Sequence, residues 1–123
     1  MKILRNLLFI TFFSLILTSC GGNAPEAIVE KYIKALRNVD FKAAKECLTK
    51  SLAQEFEEMI KDIDEDEIKD LKKENANLNI KITRSEINGE SAVVYFEEEH
   101  GDHSHERQIP LKKEEGEWKI SNI

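Results

Sequence analysis

From Ile28 to Leu71 the apolar residues recur every three or four positions; from Leu78 onward they recur every second one. The first spacing is that of helices with one buried face, and the second is that of strands with one buried side. Ile28, Val29, Tyr32, Ile33 and Leu36 form a helical stripe opposite Glu30, Lys31, Lys34 and Arg37. Pro25, preceded by Asn23 and Ala24, stands where a first helical residue belongs. Asn38-Val39-Asp40 interrupts the stripe, and Asp40 is expected to cap a second, short helix that turns Phe41, Ala44, Cys47 and Leu48 inward. Ser51-Leu52-Ala53-Gln54 reads as a capping box opening a third helix, with Leu52, Phe56, Met59, Ile60 and Ile63 on one face. Asp64 to Glu67 repeats the box before Ile68 and Leu71, which predicts a further, thinly amphipathic turn or two.

After Asn75-Ala76-Asn77, Leu78, Ile80 and Ile82 alternate with Asn79, Lys81 and Thr83 as in a strand. Ile87-Asn88-Gly89-Glu90 predicts a two-residue hairpin turning at Asn-Gly. In the next strand Ala92, Val94 and Phe96 alternate with Val93 and Tyr95, and a polar loop is expected around His100 to Ser104. A third strand carries Arg107, Ile109 and Leu111, where Pro110 argues for an edge or a bulge. Glu115-Gly116-Glu117 turns the chain into a last strand at Trp118-Lys119-Ile120-Ser121. Helices first and a four-stranded antiparallel meander afterwards predict an α+β fold, with the helices packed on one face of the sheet.

The N-terminus obeys a different rule. Lys2 and Arg5 precede eleven uncharged residues, Leu7 to Leu17, a run too short to span a bilayer as a helix, which takes about 20. The run ends in Leu17-Thr18-Ser19-Cys20-Gly21-Gly22, which resembles the lipobox of bacterial lipoproteins. That resemblance implies a signal peptide over residues 1–19 and cleavage before Cys20. It also implies a diacylglyceryl group on the Cys20 thiol, and hence a membrane partner through a lipid anchor on the extracytoplasmic side of the cell envelope. Residues 20–24 would be the lipidated cysteine and a short tether, and 25–123 a single α+β domain. Beyond the leader, sixteen basic residues stand against 24 acidic ones, a net charge of −8, and no basic patch is interleaved with aromatics. An acidic module of this kind repels nucleic acid, so no nucleic-acid partner is expected. With Cys20 lipidated, Cys47 has no intramolecular disulfide partner and reads as a small buried hydrophobe.

Tyr32, Ala35-Leu36, Asp40-Phe41-Lys42-Ala43-Ala44 and Leu48 are joined later in the chain by Ile87-Asn88-Gly89-Glu90-Ser91-Ala92-Val93-Val94 and Gly116-Glu117-Trp118-Lys119-Ile120. Together these resemble small bacterial lipoproteins of the nuclear-transport-factor-2-like (cystatin-like) superfamily. The resemblance implies a curved sheet wrapped against helices into a cone whose open end is a pocket in many members. It implies no activity, because the superfamily holds enzymes, transport factors and binding modules. No Asp-Tyr or His-Asp pair of its enzymatic branches maps onto this chain.

The most chemically loaded segment is His100-Gly101-Asp102-His103-Ser104-His105. His100, Asp102, His103 and His105 could meet at zinc or copper, but no regular ligand spacing supports a dedicated site, so neither metal nor cofactor is expected. Asp40, Ser51 and Gln54 are expected as helix caps. Tyr32, Phe56, Met59, Phe96 and Trp118 are expected to be core, or else the lining of a ligand pocket. No catalytic residue is assigned, since Cys47 has no local base to activate it. Two functional readings remain. One is a non-enzymatic binding or interaction module that engages a protein partner or a small apolar ligand through the cone mouth or the sheet face. The alternative is a small isomerase- or lyase-type enzyme that uses the cone cavity.

Overall fold

The computed structural model describes residues 24–123; the leader, the box ending at Cys20 and the tether up to Asn23 lie outside the described residues. Helices α1 (Pro25–Arg37), α2 (Phe41–Glu46), α3 (Lys50–Ile60) and α4 (Glu65–Ala76) come first. Strands β1 (Asn79–Asn88), β2 (Ser91–His100), β3 (His103–Glu114) and β4 (Glu117–Ile120) come after them as one sheet in the order β1-β2-β3-β4, antiparallel throughout. The architecture is the α+β arrangement that the two periodicities predict.

Helix α1 is the element laid on the sheet, against β1, β2 and β4. Its buried residues include Ile28, Val29, Tyr32, Ile33 and Ala35, so the stripe is the expected one with the small Ala35 added and Leu36 only partly buried. The caps read from local sequence are present at two helices. Asp40 accepts a hydrogen bond from the Ala43 amide (3.2 Å) and Asp64 one from the Glu67 amide (2.8 Å). The third helix departs from expectation: its cap is Thr49, whose Oγ1 accepts from the Leu52 amide at 3.3 Å, and Ser51 lies inside the helix. The cause is long-range. The Thr49 amide donates to the Ile120 carbonyl (3.0 Å) and the Ile120 amide to the Cys47 carbonyl (2.7 Å), so docking on β4 decides where the helix begins.

The expected face of α3 is only partly buried. Leu52 and Phe56 are covered, whereas Met59, expected as core or pocket lining, is 64% exposed. Helix α3 packs on α2, where Phe56 meets Phe41 edge-to-face with centroids 5.9 Å apart, and this leaves a narrow covered stripe. Helix α4 buries no residue fully; it is tied to α1 by the Asn75 side-chain amide, which donates to the Leu36 carbonyl (2.8 Å).

In the sheet, Ala92, Val94 and Phe96 face the helices together with Ile109, Leu111, Trp118 and Ile120. Three sequence expectations shift here. The first hairpin pairs Asn88 with Ser91, so its two-residue loop is Gly89-Glu90 rather than Asn88-Gly89, with the positive φ (+64°) on the glycine that tolerates it. The polar loop expected around His100 to Ser104 shrinks to Gly101-Asp102: the β2–β3 register runs unbroken from Ser91↔Lys112 to His100↔His103. Strand β3 is also interior rather than an edge where it pairs with β4. Pro110 is accommodated because its carbonyl, and hence its missing N–H, points toward β4 just where that strand has ended, accepting from Ser121 at 3.0 Å.

Candidate functional site

Strands β2 and β3 outrun everything that covers them. Strand β4 pairs only with Leu111 to Glu114, and every residue from His100 to Gln108 is exposed. The inward alternation of β2 nevertheless continues past Phe96 into Glu98 and His100, opposite Arg107, His105 and His103 on β3. What begins as core therefore ends as a polar patch on the same face of the sheet. At its centre the Glu98 carboxylate accepts from Arg107 Nη1 at 2.9 Å and lies 2.9 Å from His100 Nε2, with its side chain only 15% exposed. Partial burial works to raise the Glu98 pKa, but the hydrogen bonds and charges of His100 and Arg107 outweigh it and hold the carboxyl below the usual range. These residues, with His105 and Glu106, line a surface depression of about 490 Å³.

Sequence reasoning singles out the histidines and misses Glu98 and Arg107. The signal that would find them is the alternation of β2 carried one step past Phe96 to Glu98, and that of β3 carried one step back from Ile109 to Arg107. Of the candidate metal ligands, His100 closes β2, Asp102 sits in the turn, and His103 and His105 lie on β3. His100 is engaged by Glu98, and among the described residues no group of three or more His, Cys, Asp or Glu is arranged to hold a metal ion.

The aromatic candidates lie elsewhere. Tyr32, Phe56, Phe96 and Trp118 are 4–6% exposed and belong to one apolar cluster with Val94, Leu111 and Ile120. Met59 stands outside it. Cys47 is buried, its Sγ 3.5 Å from the Ala43 carbonyl, and burial pushes its thiol pKa up. Burial, then the neighbouring Cys47, likewise pushes up the Tyr32 phenol. Both groups are held neutral, the opposite of what a nucleophile or general base requires.

A family model described as the N-terminal domain of lipoprotein LpqB matches residues 20–123. The chain belongs to this lipoprotein family. Membership places this lipoprotein domain at a membrane of the cell envelope. Two solved structures share its fold. One is a Campylobacter jejuni protein provisionally named an NTF2-like transpeptidase, with TM-score 0.56 and 22% identity over 81% of this chain and 99% of the other. The other is a SEC-C motif-containing protein from Rhodopseudomonas palustris, with TM-score 0.54 and 18% identity over 80% and 75% of the two chains. No protein of curated function matches this lipoprotein domain by sequence. The α+β fold is thus NTF2-like, as the sequence resemblance implied.

Proposed function

We propose that the chain is a non-enzymatic recognition module of the cell envelope. A lipid on Cys20 holds it on the extracytoplasmic side, and it engages a partner with the uncovered half of its sheet. The observation that carries this reading is the division of β2 and β3. One half buries apolar side chains under α1, and the other presents an ordered Glu98–Arg107–His100 cluster on a bare frame.

The anchor reading draws support from the family match, which begins at Cys20, the residue expected to open the mature chain. From Cys20 to Pro25 the chain can reach no more than about 18 Å, so the start of α1 stays near the bilayer. Helix α1 runs antiparallel to β1: Ser85 donates to Glu26 near one end, and Arg37 donates to the Leu78 carbonyl at the other. The Gly89-Glu90 turn therefore lies toward the membrane, and the Gly101-Asp102 tip, a β2 length of about 33 Å away, points from it. A short tether thus aims the bare half at the surroundings.

The isomerase- or lyase-type alternative would need an ionisable group tuned for proton transfer in a dry cavity. The buried titratable groups, Tyr32 and Cys47, are shifted toward their neutral forms, which favours binding over catalysis. The same shift at Cys47 gives no support to carrying over the transpeptidase name of the Campylobacter jejuni protein.

Photo-crosslinking of the full lipoprotein in its native host tests the proposal. A crosslinking residue at His105 is expected to give a discrete adduct, one at Met59 none, and the Cys20→Ser form a greatly reduced His105 adduct. Adducts at Met59 alone, or at no sheet position, would contradict it.

A further inference from the structure

A sheet edge is a row of unsatisfied backbone groups, and this molecule treats its edges unequally. The outer side of β4 is covered, because Cys47 to Thr49 runs beside it through the Leu48↔Ile120 bridge and two backbone hydrogen bonds. Strand β1 breaks its register between Ile82 and Arg84, a bulge that makes an edge harder to extend. The remaining edge, the β4-facing side of β3 between His103 and Gln108, has neither device. It is regular in register, exposed throughout, and begins where β4 stops.

The register says which groups are open. The Pro110 carbonyl points to the β4 side and the Lys113 amide to the β2 side, where it donates to the Glu90 carbonyl at 2.9 Å. Alternation then turns the amide and carbonyl of Ser104, Glu106 and Gln108 outward, and among the described residues nothing pairs with them. Three donor–acceptor pairs at a two-residue spacing are what an adding strand requires.

We infer that this edge of β3 takes up an extended, basic segment of a partner protein by strand addition. The inference rests on the recognition-module reading and names its partner class. Charge selects the occupant. Asp102 and Glu106 stand at the edge itself, and Glu97, Glu98 and Glu99 stand one strand in on β2, against Arg107 on β3 and Lys81 opposite Glu97 on β1. Glu98 and Arg107 are already paired, so the remaining carboxylates favour Lys or Arg on the incoming strand. A second copy is the poorer occupant. Two-fold pairing centred on Glu106 or on Arg107 sets like charges directly opposite, and pairing centred on Ser104 sets Asp102 against Glu106, each of which destabilises a ladder.

The test measures fluorescence anisotropy of a labelled alternating Lys-Val octapeptide with the full-length lipoprotein in detergent. The same peptide N-methylated at every second residue and a Glu-Val octapeptide run alongside. Binding of the Lys-Val peptide is expected, with at least about tenfold weakening on N-methylation, because several net hydrogen bonds are lost together. No binding of the Glu-Val peptide is expected. Glu106→Pro removes an outward amide at a position where the ladder to β2 does not use it, and should weaken binding about tenfold or more. Glu106→Gln keeps the backbone and should weaken it less. Equal affinity for the N-methylated peptide, or equal losses in Glu106→Pro and Glu106→Gln, would reduce the contact to charge alone and overturn strand addition. Absence of Lys-Val binding overturns it too, as does concentration-dependent dimerisation abolished by Glu106→Pro, which would make a second copy the occupant. In-cell adducts at His105 with no peptide binding would leave the recognition module standing and sink only this edge.

Discussion

The two halves of this sheet are built from the same strands by the same alternation, and they part company only beyond Phe96. Toward the Gly89-Glu90 turn, the inward positions are Ala92 and Val94 on β2, met by Leu111 and Ile109 on β3 and covered by α1. Toward the Gly101-Asp102 tip, the inward positions become the half-buried Glu98 and the exposed His100, met by the exposed His105 and His103. Apolar side chains recruit a helix because burying each is worth roughly 1.5–3 kcal/mol. Charged side chains do not, and the frame they stand on is held by backbone pairing and the cross-strand Glu98–Arg107 pair. One half keeps the molecule folded, and the other is the half that the proposed recognition would use.

The largest effects should therefore fall in the covered half. Phe56→Ala removes a ring packed against Phe41 and buried to 4% exposure, and should cost about 3–5 kcal/mol in chemical denaturation, including its cavity. A loss below about 1 kcal/mol would mean the helices are not closely packed on one another. Thr49→Val should cost about 1–2 kcal/mol, since it leaves the Leu52 amide without its cap inside a buried segment.

In the bare half, Glu98→Gln should cost no more than about 1 kcal/mol near neutral pH, because its partners Arg107 and His100 are largely exposed. Its signature is the pH dependence. The folded pKa of Glu98 lies below the unfolded value, so its contribution is present above the unfolded value and lost as pH falls through the folded one. The parent should lose stability in that range more steeply than Glu98→Gln. Identical acid profiles would show that the pair with Arg107 contributes nothing to folding. Smaller still, calorimetric zinc titration should give no tight site, and submicromolar binding lost in His103→Ala would turn the bare half into a metal centre. Met59→Ser, at 64% exposure, should stay within about 0.5 kcal/mol of the parent.

The same division explains what could be read from the chain. Asp40 and Asp64 were legible because a cap is decided within three residues. Thr49 was not, because its role depends on a hydrogen bond to Ile120, far along the chain. The inward set Ala92, Val94 and Phe96 was legible from alternation. Beyond Phe96 both faces are polar, alternation loses its contrast, and two strands and a tight turn read as a loop. Glu98 fell in that blind stretch, and Arg107, though read as strand, lost its partner with it; the free edge of β3 becomes visible only once that strand is known to begin at His103.

Native-state hydrogen exchange, resolved by residue in the full lipoprotein, tests the central claim most directly. The amides of Ser104, Glu106 and Gln108 should exchange far faster than those of Lys112 and Glu114, which point the same way from the same strand but are paired with β4. Comparable protection along the whole edge would show that the sheet has no bare half.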